Sequence, residues 1–127
     1  MSRSRASAKA AGARFERVIA DHLAAVLDDR IDRRVKTGRN DCGDIGGIRV
    51  HNQRVVAELK DYGGQLKVSE WLKEAEVERQ NDGALAGIVV AKRRGVTDPD
   101  EQIVLMTVRD LVALISGERR ETQEGAA

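Results

Sequence analysis

The sequence predicts a mixed α/β fold, in which a central mixed sheet of about five strands is flanked by helices. Apolar side chains recur at helical spacing over residues 13–27, as expected for an amphipathic helix. The continuous apolar run 85–91 is typical of a strand buried on both faces. Short β-forming runs and turn residues alternate between these two segments. The predicted order of elements is αβββαββα.

The first helix is predicted because its apolar residues fall on one helical face. They are Phe15, Val18, Ile19, Leu23 and Val26. Residues 1–13 are rich in Ser, Ala and Gly and carry basic side chains but no acidic one. We therefore expect a flexible basic arm before the helix.

Three strands are predicted before the second helix, because β-forming runs alternate there with turn residues. They span residues 31–36, 44–50 and 54–60, with a turn over 37–40 and a connection over 51–53.

The second half predicts a helix from 67 to about 80, stopped at Asn81-Asp82-Gly83, and then the buried strand 85–91. A strand over 102–106 and a helix capped by Thr107 and ending at Ser116 follow. The Glu-, Gly- and Ala-rich end, residues 118–127, predicts a flexible tail. A single domain over residues 14–117 results.

Composition limits the class of protein. With 127 residues the chain fits one domain with a modest core. Charged residues make up 34% of the chain but the net charge is only +1, so local clusters of charge must decide which partners bind. The single cysteine, Cys42, cannot form an internal disulfide, and no apolar run approaches the roughly 20 residues that span a bilayer. We expect a cytoplasmic protein that makes no membrane contact.

The most informative residues are Glu58-Leu59-Lys60, at the end of the third predicted strand. Glu58 and Lys60 lie two residues apart on a strand and therefore project from one face. Such a pair is also common on a solvated face, where it forms only a weak ion pair. Whether Asp44 on the preceding strand joins them decides between the two interpretations.

The connection between the two strands sets the position of Asp44. With a three-residue connection, Asp44 lies opposite Lys60. A tighter turn centred on His51 puts it opposite Glu58 instead. A two-residue loop turns the Asp44 side chain to the other face, unless a bulge at Gly46-Gly47 restores the register.

These residue types suit a divalent metal that helps to cut phosphodiester bonds. Mg²⁺ prefers oxygen ligands, which Asp44, Glu58 and the carbonyl group of Leu59 would supply. A metal held there would activate a water and neutralise charge on the phosphate. Lys60 would position that water or stabilise the developing oxyanion.

The order of elements and four short motifs resemble the PD-(D/E)xK nuclease superfamily, and within it the archaeal and phage Holliday junction resolvases. Residues 12–17 resemble the opening helix motif, Thr37-Gly38 the turn before the aspartate, Asp44-Ile45 the Pro-Asp-Ile motif, and Glu58-Leu59-Lys60 the Glu-x-Lys motif. Gly43 stands where proline is usual.

The resemblance implies a restriction-endonuclease-like fold and adds Glu16 to the site. The implied catalytic residues are Lys60, Glu58, Asp44 and Glu16, and the implied metal ligands are Asp44, Glu58, Leu59 and Glu16. The cofactor would be Mg²⁺, with Mn²⁺ as a substitute. Without the resemblance, the sequence favours an ordinary exposed glutamate at position 16, paired with Arg17 or Arg14.

Basic residues beside the predicted site favour DNA, because cations that contact phosphates bind largely independently of sequence. The residues predicted to contact DNA are Arg14, Arg33, Arg34, Lys36, Thr37 and Arg39. Only Phe15, Tyr62 and Trp71 are aromatic, which argues against a base-stacking platform.

The sequence thus suggests a magnesium-dependent, structure-selective DNA endonuclease that resolves four-way junctions in recombination or repair. Paired incisions in such a junction imply a homodimer. A related nuclease that acts on flaps, ends or duplex DNA is one alternative. A non-catalytic DNA-binding or scaffold protein is another.

Overall fold

Three α-helices pack against a mixed six-strand sheet in the computed structural model of the chain, within the residues that the structure describes, 3–35 and 41–120. The helices are α1 (Arg5–Val26), α2 (Val68–Asp82) and α3 (Val108–Ser116). The strands are β1 (Asp32–Arg33), β2 (Ile45–Gly46), β3 (Arg49–Val50), β4 (Gln53–Lys60), β5 (Ala86–Ala91) and β6 (Ile103–Leu105). The predicted mixed α/β class is confirmed.

The sheet has the order β1-β2-β4-β5-β6, and β3 pairs with the first part of β4. Among the strands of the described residues, β4 and β5 alone pair in parallel, and the other pairs are antiparallel. Helix α2 connects these two parallel strands, as a crossover helix does in a βαβ unit. The ends of β4 and β5 therefore lie side by side at Lys60 and Ala91.

The sheet is covered on both faces, which explains why its central strands are apolar throughout. On one face, Phe15 and Ile19 of α1 pack against Ile45, Ala57 and Leu59. The residues packed on the other face belong to α2 and the last two strands, and they are Trp71, Ala75, Val89, Ala91, Ile103 and Leu105. Side chains of β4 thus alternate between the α1 face and the α2 face.

The predicted start of the first helix at about residue 13 is wrong. Helix α1 begins at Arg5, where the side chain of Ser4 accepts a hydrogen bond from the backbone N–H of Ser7. The segment 5–13, predicted as a flexible arm, is rich in alanine, which has the highest helix propensity, and buries Ala11. Arg3 pairs with Asp61 at 3.0 Å and connects the helix start to the end of β4.

The first two predicted strands are shorter than expected. The strand predicted over 31–36 is the two-residue strand β1, and the predicted turn at 37–40 lies outside the described residues. The strand predicted over 44–50 is divided into β2 and β3. The predicted strand 54–60 and helix 67–80 agree closely with β4 and α2, and Thr107 caps α3 as predicted.

A bulge divides β2 from β3. Ile45 pairs with Ala57, and the backbone N–H of Val55 donates to the carbonyl of Ile48. Over this stretch β4 advances by two residues while the opposite strand advances by three, so the extra residue lies at Gly46–Gly47. This is the bulge that the sequence allowed in the case of a two-residue loop.

The loop itself has two residues. Arg49 pairs with Arg54 and Val50 with Gln53, which leaves His51 and Asn52 in the turn. Both turn residues have positive φ, 54° and 59°, as a type I′ hairpin turn requires. The alternatives with a longer connection or a turn centred on His51 are therefore excluded.

Part of the predicted tail is bound to the domain. Arg119 donates to Asp110 at 2.6 Å, to Glu76 at 3.1 Å and to the carbonyl of Leu85 at 3.1 Å. Asp110 is only 5% exposed, so its carboxylate needs a nearby positive charge. The predicted domain end at residue 117 omits this contact, and residues 121–127 lie outside the described part of the chain.

Within the described ranges, no helix is both long enough and apolar enough to cross a membrane.

Candidate functional site

A cleft of about 850 Å³ opens where β4 ends and contains the predicted catalytic and metal-binding residues. Glu16, Asp44, Glu58, Leu59 and Lys60 all line it. The rest of its lining comes from the start of α1, the loop 61–65 after β4 and the loop 92–95 after β5. Segments far apart in sequence therefore meet at this end of the sheet.

Asp44 lies on the same face as Glu58. Its neighbour Ile45 pairs with Ala57, and both of these side chains belong to the core on the α1 face. Because side chains alternate along a strand, Asp44 and Glu58 project to the α2 face. The bulge at Gly46–Gly47 provides this arrangement, since an unbulged two-residue hairpin would place them on opposite faces.

Asp44 is almost fully enclosed, with 2% of its surface exposed. Its backbone N–H donates to Ala57 at 2.9 Å, and its Oδ2 accepts a hydrogen bond of 2.8 Å from the N–H of Leu59. The N–H and carbonyl of one strand residue point to the same edge, so the Leu59 carbonyl also faces the side of Asp44. The backbone before Asp44 turns at residue 43 with a φ of +97°, which glycine adopts without steric strain.

Lys60 lies between two carboxylates and two aromatic rings. Its Nζ is 2.6 Å from Oε2 of Glu74 and 3.4 Å from Oε1 of Glu58. The ring centres of Tyr62 and Trp71 lie 5.9 and 6.0 Å from Nζ. Burial by itself lowers the pKa of Lys60, but the hydrogen bond to Glu74 and the charges of Glu58 and Glu74 outweigh it and raise the pKa above its ordinary value. Lys60 is therefore a fixed positive charge at neutral pH.

Glu16 reaches the cleft from the opposite side of the sheet, because it lies on α1. It is 8% exposed, and its Oε1 accepts a hydrogen bond of 3.2 Å from Nε of Arg33 and forms an ion pair of 3.1 Å with Nη2 of the same side chain. The arginine that pairs with Glu16 is thus Arg33 of β1, which is distant in sequence. The alternative interpretation of Glu16 as an exposed side chain is excluded.

A second group of acids surrounds Glu58. Asp41, Glu58 and Glu78 each have a carboxylate oxygen within 4.8 Å of the others, and these three residues could hold a metal ion. In the residues that the structure describes, Asp44 and Glu16 belong to no such group of three. Burial raises the pKa of Glu78 well above its ordinary value, and the neighbouring carboxylates of Glu58, Asp41 and Asp44 raise it further.

The sequence did not identify Glu74 and Glu78 as site residues. Both lie on α2, and Glu78 is buried together with Trp71 and Ala75. These three residues follow the i, i+4, i+7 spacing of an inward-facing helix stripe. A glutamate in the last position of an otherwise apolar stripe is the signal that would have found Glu78.

The basic residues predicted to bind DNA have several different environments. Arg33 binds Glu16, and Arg34 binds Asp82 at 3.2 Å and the carbonyl of Cys42 at 3.0 Å. Arg14 is exposed on α1, outside the cleft lining. Lys36, Thr37 and Arg39 lie outside the described residues.

Other cations line the cleft. Arg3 and Lys9 lie at its α1 side, and Lys92, Arg93 and Arg94 form the loop at the end of β5. Among the described contacts, the side chains of these three loop residues donate to backbone carbonyls and to no carboxylate. A Lys-Arg-Arg run directly after a strand that pairs in parallel with β4 was the signal that could have placed them here.

Comparison of the chain with models of protein families, with curated proteins and with solved structures gave no match.

Proposed function

We propose that the chain is a magnesium-dependent, structure-selective DNA endonuclease with a restriction-endonuclease-like fold, and that it resolves four-way junctions by paired phosphodiester hydrolysis. The observation that supports this most is the bulge at Gly46–Gly47, which brings Asp44 onto the face of Glu58 beside Leu59 and Lys60. A weak ion pair between Glu58 and Lys60 on a solvated face would not require this bulge. Its effect is to gather the residues of the proposed site.

The donor set fits a hard divalent cation. Asp44, Glu58, Glu16 and the Leu59 carbonyl offer only oxygen ligands, as Mg²⁺ and Mn²⁺ prefer. Burial raises the pKa of the nearby Glu78, the carboxylates of Glu58, Asp41 and Asp44 raise it further, and a cation would offset the charge of these carboxylates. When bound, the cation would activate a water and neutralise charge on the phosphate.

Lys60 supplies positive charge to the reaction. Its ammonium group remains protonated at neutral pH, so it would orient water or stabilise negative charge on the phosphate but would not accept a proton. Asp44 and Glu16 are held in place, by the N–H of Leu59 and by Arg33 respectively. The protein groups would therefore need little rearrangement when substrate binds.

Two basic rims would bind the DNA backbone on either side of the acidic floor. We call Arg3 and Lys9 the α1 rim, and Lys92, Arg93 and Arg94 the β5 rim. Phosphate contacts from both rims would position a duplex arm over Asp44 and Glu58 without reading its sequence. This arrangement suits recognition of DNA by shape.

A homodimer would supply the second active site for paired incision. The sequence left open whether Trp71 or the last strand and helix forms the interface. Trp71 is 1% exposed and belongs to the core. The exposed apolar side chains of the end of the chain, at Val104, Val108, Leu111 and Ile115, favour β6 and α3.

The test uses labelled four-way junction, flap and linear duplex, each incubated with purified protein in Mg²⁺, in Mn²⁺ and in chelator. Symmetric nicks confined to the junction and dependent on the metal are expected. Preferential cleavage of flaps or linear DNA would show that these DNAs, and not the four-way junction, are the substrate. Binding without cleavage in every metal would instead support a scaffold function.

A further inference from the structure

We infer that Asp41, Glu58 and Glu78 form a second divalent-cation site on the α2 face of the sheet, which shares Glu58 with the proposed catalytic donor set but has Asp41 and Glu78 where that set has Asp44, Leu59 and Glu16. The ligand would be a hydrated, hard divalent cation such as Mg²⁺ or Mn²⁺. The three acids come from different parts of the fold: the segment before β2, the end of β4 and the second half of α2. Their ligand oxygens lie within 4.8 Å of one another, so that they could hold one metal ion, directly or through its water ligands.

Glu78 is the observation that points to a ligand. Its surface is 7% exposed, and its Oε2 has no hydrogen-bond partner within the described part of the chain. A buried carboxylate oxygen without a partner is costly, and an apolar residue in the same helix stripe would avoid that cost. A cation between Glu78, Glu58 and Asp41 would satisfy this oxygen.

The site has a route to solvent of its own. A cavity of about 490 Å³, which we call the α2 pocket, is lined by the three acids together with Lys73, Glu74, Val77 and Asn81. It leaves room for the water ligands that Mg²⁺ usually retains in proteins. The cation would thus have an entrance beside α2.

The segment that carries Asp41 is held against α2. Oδ1 of Asp41 accepts from the N–H of Gly43 at 3.1 Å, and its backbone carbonyl accepts from Nδ2 of Asn81 at 3.0 Å. Asn81 lies one turn beyond Glu78 on the same helix. These bonds hold the backbone of Asp41 beside the helix that carries Glu78 before an ion binds.

Glu58 belongs to both donor sets, since it lines both the cleft and the α2 pocket. A cation in the second site would neutralise charge directly beside the cleft. The inference nevertheless does not depend on nuclease activity, because it concerns binding of a metal in the absence of DNA.

The test is calorimetric titration of the full chain with Mn²⁺ alone, together with the thermal midpoint measured in Mn²⁺ and in chelator. Glu78→Gln and Asp41→Asn should each weaken one Mn²⁺ site by about tenfold or more. Glu70→Gln makes the same chemical change at an exposed position of α2 and should leave binding unchanged. Asp44→Asn should keep the site that Glu78→Gln loses.

The fold is checked by circular dichroism in chelator, where all four variants should resemble the wild type. Equal Mn²⁺ affinity in the wild type, Glu78→Gln and Asp41→Asn would overturn the inference, as would the absence of any Mn²⁺ binding by the wild type. A single site that is lost in Asp44→Asn but kept in Glu78→Gln would also overturn it, while leaving the proposed catalytic site intact. Loss of DNA cleavage in Asp44→Asn with the second site retained would support both proposals separately.

Discussion

Lys60 shows how much of the proposed chemistry rests on single side chains. Its ammonium group is enclosed by Glu74, Glu58, Tyr62 and Trp71. The two carboxylates and the two aromatic rings stabilise its positive charge. An ordinary surface lysine has no such enclosure. In the proposed site, Lys60 would therefore act as a positioned cation.

We predict that Lys60→Ala reduces cleavage of a four-way junction by about 100-fold or more, because the charge that stabilises the phosphate is lost. Junction binding should remain nearly unchanged, since the cations of the two rims make the proposed backbone contacts. Single-turnover cleavage and a gel-shift titration measure the two effects. Lys67→Ala removes an exposed lysine over Tyr62 and serves as the control. Cleavage by Lys60→Ala at the wild-type rate would show that the proposed site is wrong.

Glu76 gives a pH-dependent test of stability that does not involve the site. The hydrogen bond from Arg79 lowers the pKa of Glu76 to about 2, with further help from Gln80 and Arg119, although burial opposes the shift. A lowered pKa in the folded state stabilises the fold above the ordinary pKa of about 4.5. That stabilisation is lost as the pH falls from about 4.5 to about 2.

We therefore expect Glu76→Gln to lower the free energy of unfolding by about 1 kcal/mol at pH 7, a modest value because Glu76 is partly exposed and solvent screens its charge. The difference from the wild type should shrink as the pH falls through this window. Urea unfolding at several pH values measures it, with Glu70→Gln as the control. A difference that stays constant down to pH 2 would contradict this account of Glu76.

At the scale of elements, the hairpin of β2, β3 and β4 decides whether the residues of the proposed site share one face of the sheet. With its two-residue turn alone, the hairpin would place Asp44 and Glu58 on opposite faces of the sheet. The bulge at Gly46–Gly47 places them on the same face. Gly47 has a φ of +89°, and a Cβ there would lie 2.6 Å from the carbonyl oxygen of Arg30. Both facts make glycine necessary at this position.

We predict that Gly47→Ala lowers the free energy of unfolding by at least about 2 kcal/mol, through the strained φ and the clash with the backbone of Arg30. Gly12→Ala is the matched control, because it lies in α1 with no atom within 4 Å of the added Cβ. It should raise stability by about 0.5–1 kcal/mol. Chemical denaturation measures both variants, and similar stability changes in the two would refute the proposed need for glycine in the bulge.

On the scale of the whole molecule, the tertiary structure decides where charged side chains are concentrated, which the overall composition does not show. The net charge is +1, yet the cleft has an acidic floor between the α1 rim and the β5 rim. Release of counterions from DNA makes affinity depend on the number of phosphate contacts. The two rims should therefore dominate the salt dependence of binding.

For the double variant Lys9→Ala and Arg93→Ala, one change in each rim, we expect the slope of log K against log salt to fall by about two. The affinity loss should be similar for different DNA sequences, because phosphate contacts carry no sequence information. Arg49→Ala, an exposed arginine of β3 outside the cleft, is the control. An unchanged slope in the double variant would remove the rims from the proposed DNA contact.

Much of the fold follows from local sequence. The apolar stripe of α1, the apolar run of β5 and the capping residue Thr107 each predicted an element that is observed. The start of α1 cannot be predicted from local sequence, because basic, Ala-rich residues suit both a helix and a disordered arm, and the choice depends on the burial of Ala11 and the contact between Arg3 and Asp61. The sequence also places Arg119 in a flexible tail, because the local sequence does not show that its partner Asp110 on α3 is buried.

The sequence by itself determined the mixed α/β class, the main helices and central strands, and the residue types of the proposed site, Asp44, Glu58 and Lys60. Periodicity and turn chemistry are local properties and can be read along the chain. Only the tertiary structure decided the register, the pairing of Lys60 with Glu74, the group of Asp41, Glu58 and Glu78, and the cations that line the cleft. These depend on a one-residue bulge and on the crossing of α2 over the sheet, which bring together groups that are distant in sequence.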